Sequence, residues 1–254
     1  MFNKKLMRNF LYSTLFLIYS FNPLISQGIR NYGVQSDLRL VDLYEKIKNR
    51  VGKESSSIEK IKGSPYFNKN FKLANVEYFG KLLKDTLYLR FNAFSDEMEI
   101  ASDPKINSSE NILIKNNKVF CIIEGEKYRY LGFIANNQPP SIGYVKELFI
   151  GMIFSFYERK TKIFMGATVA KTSLERSFPA RFVDKIEYYF SINNSELNQI
   201  KLSKKKILSK LKPYTILIKK FLEESQAKLK TREEVVALFK FLDLTQSQLQ
   251  KNFK

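Results

Sequence analysis

Three acids fall within four positions, Asp96, Glu97 and Glu99, in a stretch that alternates polar and apolar residues. On an extended strand Glu97 and Glu99 share a face roughly 7 Å apart, while Asp96 points the other way. Two carboxylates at that separation suit an acid/base pair for hydrolysis or a hard cation. Calcium takes about six or more oxygens, and no Asp-rich loop supplies them, so no metal is expected. The commoner use of such acids is on the wet face of a hairpin, opposite Lys or Arg. Tyr88, Arg90 and Asn92 share one face of LYLRFN. Arg90 could therefore pair across strands with Glu97 or Glu99, or turn with its neighbours toward a ligand. Tyr128 and Tyr130, with Tyr188 and Tyr189, offer aromatic faces that suit sugars or fatty chains, or else fill a core with wet hydroxyls. Lys204, Lys205, Lys206, Lys210 and Lys212 form one basic helix side, continued by Lys219 and Lys220, and fit an anionic membrane surface or glycan.

Composition removes several chemistries. The chain has no His, so no Ser-His-Asp triad, Cys-His pair or His-ligated zinc site exists. The single cysteine, Cys121, cannot form an internal disulfide, and its apolar setting in KVFCII reads as a small buried hydrophobe rather than a reactive thiol. No glycine-rich phosphate loop is present, and no cofactor is implied.

These residues need elements to hold them. From Gly63 to about Ile200 the hydrophobic period is two, in LYLRF, EMEIA, KYRYL, MIFSFY and KIEYYFSI. Turn signals separate the runs at Phe94-Ser95-Asp96, Asp103-Pro104, Asn116-Asn117, Gly125, Asn136 to Pro140 and Asn193-Asn194. Short strands with no helical stretch between them predict an antiparallel curled sheet, a sandwich or partial barrel, and KVFCII should be central in it. Before it, in a segment spanning 27–62, Leu40, Leu43, Tyr44, Ile47 and Val51 predict one amphipathic helix, ended by Gly52 and a serine linker.

After Ser195 the period becomes helical. Ser203 should cap a helix to Lys212, with Pro213 as the break. Tyr214, Leu217, Ile218, Phe221 and Leu222 make an apolar stripe. Thr231 and Glu234 form a capping box, followed by the stripe Val235, Leu238, Phe239 and Leu242. The predicted fold class is α+β: a β domain over 63–200 and basic C-terminal helices over 201–254 packed on it.

The beginning of the chain gives an address. Lys4, Lys5 and Arg8 precede the apolar run Phe10 to Phe21, then Asn22-Pro23 and a small residue, Ser26. This reads as a signal peptide over 1–26, too short to span a bilayer. Export to the periplasm or beyond follows, soluble or peripherally held. No cysteine sits at the cleavage point, so no lipid anchor is expected. Net charge is +18, and residues 201–254 carry fourteen Lys/Arg against five Asp/Glu. Such a surplus attracts anionic partners. Export disfavours nucleic acid, and lysines outnumber arginines 33 to 10, so default surface lysine explains much of the excess.

The segments Ile61 to Asn68 (IKGSPYFN), Leu89 to Phe94 (LRFNAF) with Asp96-Glu97, and the tail Lys204 to Leu242 with Glu233-Glu234 and Phe239-Lys240-Phe241 carry a resemblance. They resemble a group of uncharacterised secreted proteins of flavobacteria and their Bacteroidetes relatives, from about Ile58 to Leu242. Phe91 stands where a Tyr is common in that group. The resemblance implies an exported α+β protein and brings no activity with it.

The functional expectation is a non-enzymatic envelope protein. It would bind an apolar or amphipathic ligand, such as lipid, or a partner protein, and turn its basic tail toward an anionic surface. Tyr88, Arg90, Tyr128 and Tyr130 are the candidate ligand contacts. One alternative is a hydrolase of an envelope polymer using Glu97 and Glu99. Another is a structural component of an outer-membrane assembly.

Overall fold

The computed structural model describes residues 61–252, apart from 84–85, 106–108, 110, 137, 171 and 173. The predicted signal peptide and the helix expected over Leu40 to Val51 lie outside the described residues. Among them, eleven strands run β1 (Lys72–Tyr78), β2 (Lys81–Leu82), β3 (Leu87–Asn92), β4 (Glu97–Ala101), β5 (Asn111–Ile112), β6 (Val119–Ile123), β7 (Glu126–Ile134), β8 (Ser141–Ile150), β9 (Phe154–Met165), β10 (Arg181–Ile192) and β11 (Leu197–Ile200). Helices α1 (Lys204–Lys210), α2 (Thr215–Ser225) and α3 (Arg232–Asn252) follow, with a 3-10 turn at Lys212–Tyr214 between the first two. The fold is α+β, strands first and helices last.

All strands join one sheet in the order β11-β10-β9-β8-β7-β6-β1-β3-β4-β5, with β2 beside β1. β3 and β4, β6 and β7, β8 and β9, and β10 and β11 are joined by short turns and pair antiparallel. Glu124-Gly125 links β6 to β7 with φ of 50° and 81°, the left-handed pair that a two-residue hairpin needs. Among the named strands, β11 pairs parallel to β7, with Leu197 beside Phe133 and Asn198 beside Ile134. That contact turns β7, β8, β9, β10 and β11 into a ring of five, from which the other strands run off as a wing. KVFCII is internal as expected: β6 lies between β7 and β1.

Side-chain alternation divides the apolar residues among three clusters. Each ring strand sends one residue to the inner cluster: Phe133, Val145, Tyr157, Tyr189 and Leu197. The wing curls over a second, including Val76, Leu89, Met98, Cys121, Tyr130 and Tyr144. The helices cover a third, where Phe154, Phe156 and Phe190 meet Ile207, Ile218, Leu238 and Phe239. Phe239 stacks on Phe156 with ring centres 5.0 Å apart.

Both helical stripes read from the sequence face this cluster. Thr231 and Glu234 form the expected reciprocal cap: Thr231 N–H donates to Glu234 Oε2 at 3.0 Å, and Glu234 N–H to Thr231 Oγ1 at 3.3 Å. Ser203 occupies the N-cap of α1, but its side chain makes no capping bond. A polar lock fixes α3 to the sheet. The Asp243 carboxylate accepts from the backbone N–H groups of Met152, Ile153 and Phe154 at 3.1, 2.7 and 2.9 Å. Gly151 makes room for it, since a Cβ there would sit 2.4 Å from the carboxyl carbon. Among the described residues no helix is long and apolar enough to cross a membrane.

Candidate functional site

The β3–β4 hairpin sets Arg90 opposite Glu99 and Asn92 opposite Glu97. Glu99 is buried, and its carboxylate is fully engaged. Arg90 Nε donates to Oε2 at 2.9 Å, Asn92 Nδ2 to Oε1 at 2.9 Å and Tyr66 O–H to Oε1 at 2.9 Å. Arg90 Nη1 donates to the Lys69 carbonyl at 2.9 Å. The guanidinium lies between the rings of Tyr66 and Phe71, 4.1 and 4.2 Å from their centres. Glu97 faces Lys115 at 3.7 Å. The donors on Glu99 take up both oxygens of its carboxylate, so its contacts are with Arg90, Asn92 and Tyr66 rather than toward a cleft.

A second network, which sequence reasoning missed, seams the wing cluster to the helix cluster. Strand register places Cys121, Tyr128, Lys146, Glu158, Tyr188 and Ile200 in one row across the sheet. Lys146 and Glu158, only 4% and 3% exposed, sit 2.8 Å apart in its middle. Glu126 Oε1 is also 2.8 Å from Lys146 Nζ, Lys160 Nζ is 3.4 Å from Glu158, and Arg232 on α3 reaches Glu158 at 3.7 Å. Burial alone would lower the Lys146 pKa, but its bonds to Glu126 and Glu158 outweigh that and raise it. Burial likewise works to raise Glu126, and its bonds from Lys146 and Tyr128 hold it below the usual carboxylate range. Burial pushes the Cys121 thiol up to about 12, leaving it protonated and inert, as its apolar surroundings imply.

The described residues also form a large concavity with unpaired cations on its wall. It is an open groove of about 970 Å³ between β10, β11, the β7–β8 turn and α1. Lys185, Lys201, Lys206 and Lys210 line it beside the apolar Ile186, Ile200 and Leu202. Lys185 pairs with Glu187 at 2.9 Å, Glu187 accepts from Gln199 Nε2 at 2.7 Å, and Gln199 Oε1 accepts from Asn136 N–H at 2.9 Å. These bonds leave Lys201, Lys206 and Lys210 with no ion pair among the described residues.

Of the predicted basic face, Lys206 and Lys210 thus enter the groove, whereas Lys204, Lys205 and Lys212 are exposed outside its lining. Lys185, Lys201, Glu187 and Gln199 had no distinguishing local signal. A lysine on an alternating strand reads as wet surface until β10 is set beside α1. Arg90 and Tyr128 line a smaller pocket of about 330 Å³ with Phe67, Lys72, Glu126 and Lys160. Tyr88 and Tyr130 do not line it. Tyr130 packs edge-on against Tyr144 with ring centres 5.1 Å apart. The four aromatic and Arg candidates are therefore not gathered at one surface.

Comparison with known proteins finds no matching family model, no matching curated protein and no matching solved structure.

Proposed function

We propose that this chain is a non-enzymatic exported protein that holds an amphipathic, negatively charged partner in the groove between β10, β11 and α1. The observation that carries the reading is the groove's lining, where Lys201, Lys206 and Lys210 have no ion pair among the described residues and stand beside Ile186 and Leu202. Cations without counter-charges on a concave wall concentrate field there and favour an anionic ligand. The apolar strip gives that ligand a second face to bury. The ring interior offers no comparable support for a ligand, because Phe133, Tyr157, Tyr189 and Leu197 fill it. Export rests on the basic, apolar and small-residue pattern of residues 1–26. A hydrolase using Glu97 and Glu99 has less support, since Arg90, Asn92 and Tyr66 occupy the Glu99 carboxylate.

Titration with polyglutamate tests the groove. Wild type should bind, and binding should weaken as salt rises. Changing Lys201, Lys206 and Lys210 to Glu should abolish it. The same charge change at Lys81, Lys105 and Lys240, all exposed elsewhere, should leave most of the affinity. Equal losses in the two triple variants would mean that net charge, not the groove, governs binding.

A further inference from the structure

We infer that the groove's occupant is an extended acidic polypeptide segment that adds as a strand to the open edge of β10. The inference rests on the groove reading above and names its partner. β10 is twelve residues long and pairs with β9 along all of them, Arg181 to Ile192. On its other side β11 covers only Tyr188, Tyr189 and Phe190. Near its start, Lys62 N–H donates to the Ala180 carbonyl and Phe182 N–H donates to the Lys62 carbonyl, both at 2.9 Å. Between those two contacts, Val183 to Glu187 has no strand partner on that side among the described residues.

The direction of the free backbone groups follows from alternation. Phe182 turns its N–H outward to Lys62, so Asp184 and Ile186 present their N–H and C=O to the same open side. Ile186 lines the groove, with Lys185, Glu187 and Tyr188 around it. The edge from Val183 to Glu187 spans roughly 13 Å of strand.

The line that a partner strand would follow already exists. β11 runs antiparallel to β10 until Ile200, and then the chain leaves the sheet at Lys201 to enter α1. The space beyond Ile200 in that line is the groove. Its far wall is Lys201, Leu202, Lys206, Ser209 and Lys210. An incoming strand would continue the path of β11, pairing its backbone with Asp184 and Ile186 and setting side chains against that wall. The three lysines select acidic side chains, and Ile186 and Leu202 select aliphatic ones. Asp184 does not oppose this, because Lys162 holds its carboxylate in an ion pair. Open edges are ordinarily guarded by charge projecting across them. Here Lys185 is held by Glu187.

Calorimetry of the purified protein with a peptide of alternating Glu and Val, and with two N-methylated forms of it, tests this. One form carries methyls on every Glu amide and the other on every Val amide. Charge and side chains are the same in all three, but each methylated form blocks a different edge of the peptide strand. Strand addition predicts that one methylated form binds like the parent and the other loses about tenfold or more in affinity. It also predicts slower amide exchange at Asp184 and Ile186 when the parent peptide is bound. Equal affinity for all three peptides, or equal loss in both methylated forms, overturns strand addition. If polyglutamate still binds in either case, the groove reading survives alone. Failure of the peptides and polyglutamate together overturns both.

Discussion

Arg90 and Glu99 decide how the acidic knot of this chain should be understood. Their ion pair is buried, nearly saturated with hydrogen bonds and clamped between two aromatic rings. Removing one member leaves an uncompensated charge, whereas replacing both by apolar groups can be close to neutral. Arg90→Met should therefore cost about 3–5 kcal/mol of stability, and Arg90→Met with Glu99→Leu should recover most of it, as read by urea unfolding. Additive losses in the double variant would show that the pair is not the unit. The pairing was legible in the sequence, because a two-residue period and a short turn set Arg90 against Glu97 or Glu99. The sandwiching rings were not, because Tyr66 and Phe71 come from a segment with no regular period. Lys146 and Glu158 were likewise hidden. Lys146 stands next to Glu147 and Glu158 next to Arg159 and Lys160, runs of charge that read as wet surface, and only strand register shows that the two share a row.

At the scale of elements, local chemistry carried furthest in the helices. The stripes of α2 and α3 face the sheet, and the capping box at Thr231 forms as its spacing demands. Glu234 also accepts from the backbone N–H groups of Lys228 and Lys230, both at 2.9 Å. Those backbone bonds to the carboxylate, with that from Thr231, lower its pKa from 4.5 to about 2. A lowered folded-state pKa contributes stability that is present above 4.5 and lost as pH falls toward about 2. Wild type should therefore be more stable than Glu234→Gln at pH 5 and above, and the gap should close by about pH 2. A gap that stays constant across thermal melts in this range would contradict the cap's charged role. Strands were less legible. β8 carries too many adjacent apolar and charged residues for a clean period, since Gly143 to Lys146 are buried in succession, and β1 leaves Leu73 on its exposed face, which blurs its alternation. β11 has four residues and almost no pattern of its own. The Asp243 lock had no signal at all, because its three donors are backbone amides 89 to 91 residues away.

For the molecule as a whole, the α+β class and the strands-then-helices order follow from the change of period near Ser195. The ring does not, because it depends on one short parallel contact between β7 and β11. That closure places the β7–β8 turn beside β11 and, among the described residues, leaves Val183 to Glu187 of β10 without a strand on that side. α1 then lays its lysines across the gap. A surplus of +18 spread evenly over a surface would be unremarkable. The proposed reading rests instead on three lysines that have no ion pair among the described residues and line one concave wall. Amide chemical-shift mapping during titration with a short oligoglutamate tests this most directly. The account predicts that the largest changes cluster at Lys185, Ile186, Gln199, Lys201, Lys206 and Lys210. Changes scattered over every exposed lysine, or centred on Arg90 and Tyr128, would contradict it.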